Sequence, residues 1–473
     1  MLDLGAQVKN EGIRLLRLCK DLSEFVFSGQ ARKTYLCETE GFLEHIKTSL
    51  KAIDKFVRET ISKEMAPPLT KVKLKEFDLI REGLSWLYIF VKEAIDADTL
   101  SIPYSLTIFL NHAATELQNP KKVSLVVLGS SDLMYYKYNL GNLKKLTNNL
   151  ASIIDGYQVL PEEIGILKFP YCAAQEVLVN CILFHEMGHY IYEKTELQDV
   201  FYNKIKNNLI MFIRSEVGDE GIKNLPPWKL LLNYVTNLLL RWIDEIFADI
   251  FAVRVLGPAF HLASLEMEQI ITTGIKRNRN FSGTHPANDF RFKTHAKWLT
   301  DGDWDEIINE RTPQVFEQLK VCEKLRFENG DFTINCKSPL SDGNLEGKLH
   351  NWMLQEFEKM VIRVEDELSS KLKNFENPIS DFKNNDSLVT TCLEHGVVPS
   401  TVYNEKKQIC HPNPTTILNS GFFFYLGGME ALLEKVKSKG PKIDKRINYE
   451  KRLNQWLAKA IEDWPLLLEE SKL

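Results

Sequence analysis

The stretch Cys181-Ile182-Leu183-Phe184-His185-Glu186-Met187-Gly188-His189-Tyr190 decides how this chain is read. As a helix it places His185 and His189 one turn apart on one face. Two neutral imidazoles at that spacing can take two corners of one zinc ion, and Glu186 then stands beside the water such an ion holds. The surroundings are almost continuously apolar, from Val177, Leu178 and Val179 through Ile182, Leu183 and Phe184 to Met187, Tyr190, Ile191 and Tyr192. A helix that is apolar on all sides is a buried one. Glu186 is out of place there as mere packing, because a buried carboxylate needs a metal, a hydrogen-bond network or a tuned role.

A zinc site built on two histidines needs a third protein ligand, with an open fourth position if it is catalytic. The run Leu240-Arg241-Trp242-Ile243-Asp244-Glu245-Ile246-Phe247-Ala248-Asp249-Ile250-Phe251-Ala252 offers one. It reads as a second buried helix stopped by Gly257-Pro258. Glu245 and Asp249 share a face one turn apart. Glu245 can supply the carboxylate ligand, and Asp249 can accept the outer N–H of a zinc-bound histidine and so fix its tautomer. The competing reading is an i,i+4 ion pair between Arg241 and Glu245 on a solvated face, which leaves Asp249 and the apolar residues around it unexplained.

His185, Glu186 and His189, followed by Glu245, Ala248 and Asp249, resemble the gluzincin metallopeptidases, whose zinc is held by two histidines and a glutamate on a second helix. Thr284-His285-Pro286-Ala287-Asn288-Asp289-Phe290-Arg291 is similar to the His-Pro-x-x-x-x-Arg segment of the branch that includes the CAAX prenyl proteases. The resemblance spans residues 165–295. It implies a zincin-like catalytic core that binds Zn2+ through His185, His189 and Glu245. Glu186 would be the general base, cleaving a protein or peptide substrate as an endopeptidase does. It also implies that His285 or Arg291 lies near the cleft, steadying the oxyanion or the ligand helix; the sequence leaves open which does so. Unlike the membrane members of that branch, the chain shows no transmembrane helices. The rival class is a non-enzymatic scaffold or interaction protein with a vestigial or structural zinc site. The intact Glu186 argues against it, since a structural site has no need of that carboxylate.

Bulk properties set the frame. The chain has 473 residues, 44% of them hydrophobic and 26% charged, with a net charge of −5. That is ordinary for a globular protein of more than one domain. It gives no electrostatic reason to expect nucleic acid as a partner. No uninterrupted apolar run reaches the length of a membrane span. The 8 cysteines are scattered without a Cys-x-x-Cys pair and no signal peptide opens the chain, so a reducing, cytoplasmic setting is expected. Oligomeric state is not legible.

The remaining periodicity predicts a mainly α chain with a small β-sheet (α+β). Residues 1–98 form a helical N-terminal region, 99–300 the zincin-like catalytic core, and 301–473 a mainly helical C-terminal region. Val123–Gly129 and Ile164–Pro170 read as strands. The second, if it lies at a sheet edge, suits an extended peptide by strand addition. Residues 193–228 read as a polar excursion, plain surface in preference to the lid or wall of a cleft, Ile307–Leu325 as amphipathic helix, and Lys383–Asp386 as a loop. Cys410-His411 lacks a companion pair at zinc spacing.

Overall fold

The apolar spacing that predicts helices does produce them. The computed structural model describes residues 4–32, 37–63, 66–97, 104–117, 124–130, 134–137, 141–159, 164–195, 197–224, 228–272, 278–335, 340, 343–371, 378–403, 408–435 and 442–470. The chain is mostly helical, with a few short strands. It divides into two compact units: 1–102 with 111–174, and 103–110 with 175–473.

The first unit contains helices α1 (Leu4–Arg32), α2 (Cys37–Ile61) and α3 (Pro67–Ala97). Leu15, Leu22 and Val26 of α1 meet Ile46, Leu50 and Ile53 of α2 and Phe77, Ile80 and Leu84 of α3 in one buried cluster. Pro67 opens α3 rather than merely interrupting the chain, because a first-turn proline gives up an N–H that has no helical partner anyway. Helix α4 (Tyr104–Leu117) carries residues of both units. Strands β1 (Ser124–Ser130), β2 (Tyr136–Lys137) and β3 (Ile164–Pro170) form a sheet of order β1-β3-β2. Helix α5 (Gly141–Ile153) adds Leu143, Leu146 and Leu150 to the same core.

The sheet corrects the expectation for Ile164–Pro170. β3 is the middle strand, parallel to β1 along its length and antiparallel to β2 at Leu167 and Lys168. It lies between β1 and the short β2, which takes its Leu167 and Lys168, so it is not the fully free edge strand that strand addition suits best.

The second unit is built on α8 (Trp228–Leu256), against which α6 (Leu183–Glu193), α7 (Leu197–Asn224), α10 (Asn288–Asp301) and α13 (Gly343–Lys371) pack. Trp242, Ile243, Ile246, Phe247, Ala248, Ile250 and Phe251 are all fully buried, as an all-round apolar helix requires. Gly257 takes φ 62 between α8 and α9 (Pro258–Thr272), a left-handed turn open to glycine, and Pro258 starts the next helix. The polar stretch from 193 is not a surface excursion. Its Leu197, Phe201, Ile205, Leu209 and Ile213 recur every fourth residue and are buried, while 225–227 lie outside the described residues.

The rest of the unit holds α11 (Asp305–Arg311), α12 (Pro313–Glu323), α14 (Pro378–Glu394), α15 (Pro414–Phe423), α16 (Met429–Lys435) and α17 (Lys442–Glu470). Four two-residue strands in two pairs complete the set: β4 (Asn280–Phe281) with β5 (Thr333–Ile334), and β6 (Val402–Tyr403) with β7 (Ile409–Cys410). Pro313 splits the expected helix over 307–325 into α11 and α12. Lys383–Asp386 lies inside α14, because Asp386 is drawn inwards by Ser420 and Arg311 instead of facing a loop. The two units also cut across the sequence boundaries at 98 and 300. β1, α5 and β3 build their core with the N-terminal helices, and α13 packs on α8.

Candidate metal centre

The histidine stretch begins with a short 3-10 turn over Val179–Ile182, and the α-helix proper starts at Leu183. Every residue of α6 from Leu183 to Tyr192 is buried except His189, which is half-buried. Gly188 explains how close α6 comes to α8. A Cβ there would lie 2.6 Å from Ala248 Cα, 3.0 Å from its Cβ and 3.1 Å from its carbonyl oxygen. Only a glycine facing a small residue allows backbones to approach so far. The crossing sets the glutamate of one helix under the histidines of the other.

The two imidazoles converge, with Nε2 of His185 and Nε2 of His189 3.1 Å apart. Glu245 Oε2 stands 3.4 Å from the first and Oε1 3.7 Å from the second. One donor atom from each of the three residues falls within 4.8 Å of the others, and among the described residues this is the group that could hold a metal ion. The spacing suits a small cation, since two nitrogens bonded tetrahedrally to zinc at about 2.05 Å stand about 3.3 Å apart. The outer nitrogens are held as well. His185 Nδ1 lies 2.9 Å from Asp249 Oδ1, and His189 Nδ1 lies 2.8 Å from Asp244 Oδ1. Both Nε2 atoms are thereby turned to the same point.

Arg291 donates from Nε and Nη2 to the two oxygens of Asp249, both at 2.6 Å, with Nη1 3.8 Å from Glu245. Its guanidinium is thus spent on the ligand helix. His285 differs. It is half-exposed, with Nε2 3.5 Å from Glu245 Oε1 and Nδ1 2.7 Å from Thr284 Oγ1. Ser282 pins its loop by accepting the His285 N–H at 2.9 Å. Glu186 is 6% exposed, and among the described residues none forms a hydrogen bond or ion pair with its carboxylate. Arg241, the rival partner for Glu245, donates instead to the carbonyl of Gly283 at 3.3 Å.

The charges are strained towards a cation. Burial disfavours a charged His185, yet its contacts with Asp249 and Glu245 outweigh that and push it up to about 10. His189 is raised too, burial being overcome by Asp244. Burial would raise Glu245, but His185 and Arg291 hold it down at about 2. Asp249 lies well below the carboxylate range despite its burial, chiefly because of Arg291. His285 is lowered by burial and by the positive groups near it, against the pull of Glu245. Glu245 and Asp249 thus favour charge on His185, as Asp244 does on His189, and a cation held by the two Nε2 atoms would take the place of those protons.

His185, Glu186, His189, Glu245, Asp249, His285 and Arg291 therefore gather in one place. The sequence reading missed Asp244 and Gly188. Neighbouring positions on a helix point about 100° apart, so no shared-face argument selects Asp244 beside Glu245. Gly188 did carry a signal, as an isolated glycine inside a buried helix. Compared with protein-family models, curated proteins and solved structures, the chain matches none.

Proposed function

We propose that this chain is a zinc-dependent endopeptidase with a zincin-like core, working in the cytoplasm on a protein or peptide substrate. The observation that carries the reading is the convergence of His185, His189 and Glu245 donor atoms within 4.8 Å of one another. Those three residues would hold the ion. Bound there, zinc supplies Lewis acidity at a scissile carbonyl and brings the pKa of water towards about 7.

The protein groups then divide the work. Glu186, next in sequence to His185 and without a hydrogen bond among the described residues, takes a proton from the attacking water and delivers it to the leaving amine. His285, half-exposed and facing Glu245, offers its Nε2–H to the oxyanion. Arg291 is committed to Asp249 through two donors, so its part is to hold the ligand helix and not to reach substrate. Asp244 and Asp249 keep the two imidazoles in the tautomer whose Nε2 is bare.

The test is metal analysis of the purified chain beside Glu186→Gln, with a peptide library searched for new N-termini. About one zinc per chain is expected in both proteins, with hydrolysis reduced at least about 100-fold in the variant. Cleavage by Glu186→Gln at the wild-type rate sinks the assignment of the base. Bound zinc with no cleavage by the wild type favours the scaffold class.

A further inference from the structure

Behind the metal centre lie two more buried histidines. His295 is one turn beyond Arg291 on α10, and His261 is on α9. They are 1% and 2% exposed. Their Nδ1 atoms are 3.0 Å apart, and His295 Nε2 lies 3.6 Å from Asp249 Oδ2. Phe260 covers them, its ring stacked on His185 at 6.2 Å and tilted against His295 at 5.2 Å, while Phe292 closes on both. This is a buried polar network, where each unmatched donor is costly.

Donor arithmetic gives the pair a direction. One N–H must lie between the two Nδ1 atoms. If His295 supplied it, a bare Nε2 lone pair would face the Asp249 carboxylate, and His261 would bury an Nε2–H that has no partner among the described residues. Both are unfavourable, the buried orphan donor most of all. If His261 supplies it, His261 Nε2 buries only a lone pair, and His295 turns an Nε2–H that makes no hydrogen bond towards the Asp249 carboxylate, where the charge still attracts it. At 3.6 Å that last contact is longer than a formed hydrogen bond and acts as charge–dipole attraction.

Resting on the metal-centre reading above, we infer that His261 and His295 are positioning residues. They orient Asp249, and through it the metal-binding tautomer of His185, by a chain of N–H groups that ends on the Asp249 carboxylate. The chain runs from His261 Nδ1–H to His295 Nδ1, and from His295 Nε2–H to Asp249 Oδ2. The other carboxylate oxygen, Asp249 Oδ1, faces Nδ1–H of His185, whose Nε2 is left bare. Arg291 fills the rest of the Asp249 acceptor capacity.

The experiment titrates the full chain with zinc against a chromophoric chelator at pH 7. His295→Leu is expected to bind zinc on the order of 10-fold more weakly and His261→Leu at least about 3-fold, within the range known for outer-sphere partners. His295→Gln, which keeps an N–H near the Nε2 position, is expected to recover most of the loss. If folded His295→Leu and His261→Leu bind zinc like the wild type, the pair is packing only and this inference falls while the metal reading stands. If the wild type itself binds no zinc, both fall. Nitrogen NMR of histidine-labelled, zinc-loaded wild type covers the case of a variant that fails to fold. His261 is expected as the Nδ1–H tautomer and His295 as the Nε2–H tautomer, and the opposite pair overturns the inference.

Discussion

Replacing Gly188 by alanine tests the helix crossing on which the metal centre depends. The new methyl would sit 2.6 Å from Ala248 Cα and 3.1 Å from its carbonyl oxygen. Carbon atoms rest at about 3.5–4.0 Å, so α6 and α8 must part by about 1 Å. The obstacle is backbone, which cannot swing aside as a long side chain does. Overpacking of a tight core costs about 1–3 kcal/mol, and this site belongs at the upper end. The chemical effect exceeds the stability effect. His185 and His189 move together on α6, but Glu245 stays with α8, and its 3.4 Å and 3.7 Å separations from them lengthen. A zinc site tolerates about 0.2 Å in its ligand distances, so affinity is expected to fall on the order of 100-fold. Chelator competition reads the affinity and thermal denaturation the stability. Adding Ala248→Gly removes the Cβ neighbour at 3.0 Å but not the Cα at 2.6 Å, so the double variant recovers little. A Gly188→Ala protein that binds zinc and melts like the wild type would refute the crossing argument.

Arg291→Met leaves the Asp249 carboxylate buried without its guanidinium, and removing one partner of such a pair costs about 3–5 kcal/mol; denaturant unfolding of the metal-free chain checks this, and a loss under 1 kcal/mol speaks against it. Asp244→Asn keeps shape but offers His189 a weaker acceptor, so zinc affinity should drop on the order of 10-fold with little change in melting temperature. The pH dependence has two limbs. Asp249 is held below its ordinary value, so its contribution is complete above about pH 4 and is lost as pH falls through the native value. His185 is raised to about 10, so its contribution in the metal-free chain is complete below about pH 6.5 and is lost as pH rises towards 10. Zinc takes the neutral imidazole, so melting curves from pH 6 to 10 should fall with a chelator present and flatten with zinc, and identical slopes would contradict the assignment.

Much of the site was legible because its chemistry is local. The i,i+4 spacing of His185 and His189, and of Glu245 and Asp249, is fixed by helix geometry once each stretch is known to be helical. The apolar residues around them announce burial, and burial makes the charged residues demand a purpose. Less was legible where polarity misled. Residues 197–213 carry enough charge to look like surface, yet every fourth side chain is buried. Ile164–Pro170 was readable as a strand but not as the middle one, because pairing partners come from elsewhere in the chain.

What the sequence determined by itself is the set of donors, the helices that carry them and the faces they share, since these follow from residue type and a period of 3.6. What only the tertiary structure decided is which separate elements meet. Gly188 against Ala248 brings Glu245 to the histidines, Arg291 turns to Asp249 while His285 stays half-exposed, and His261 and His295 come together from α9 and α10. The physical reason is range: helix spacing acts over a few residues, whereas these contacts join residues 34 to 60 positions apart and form only when the whole core closes.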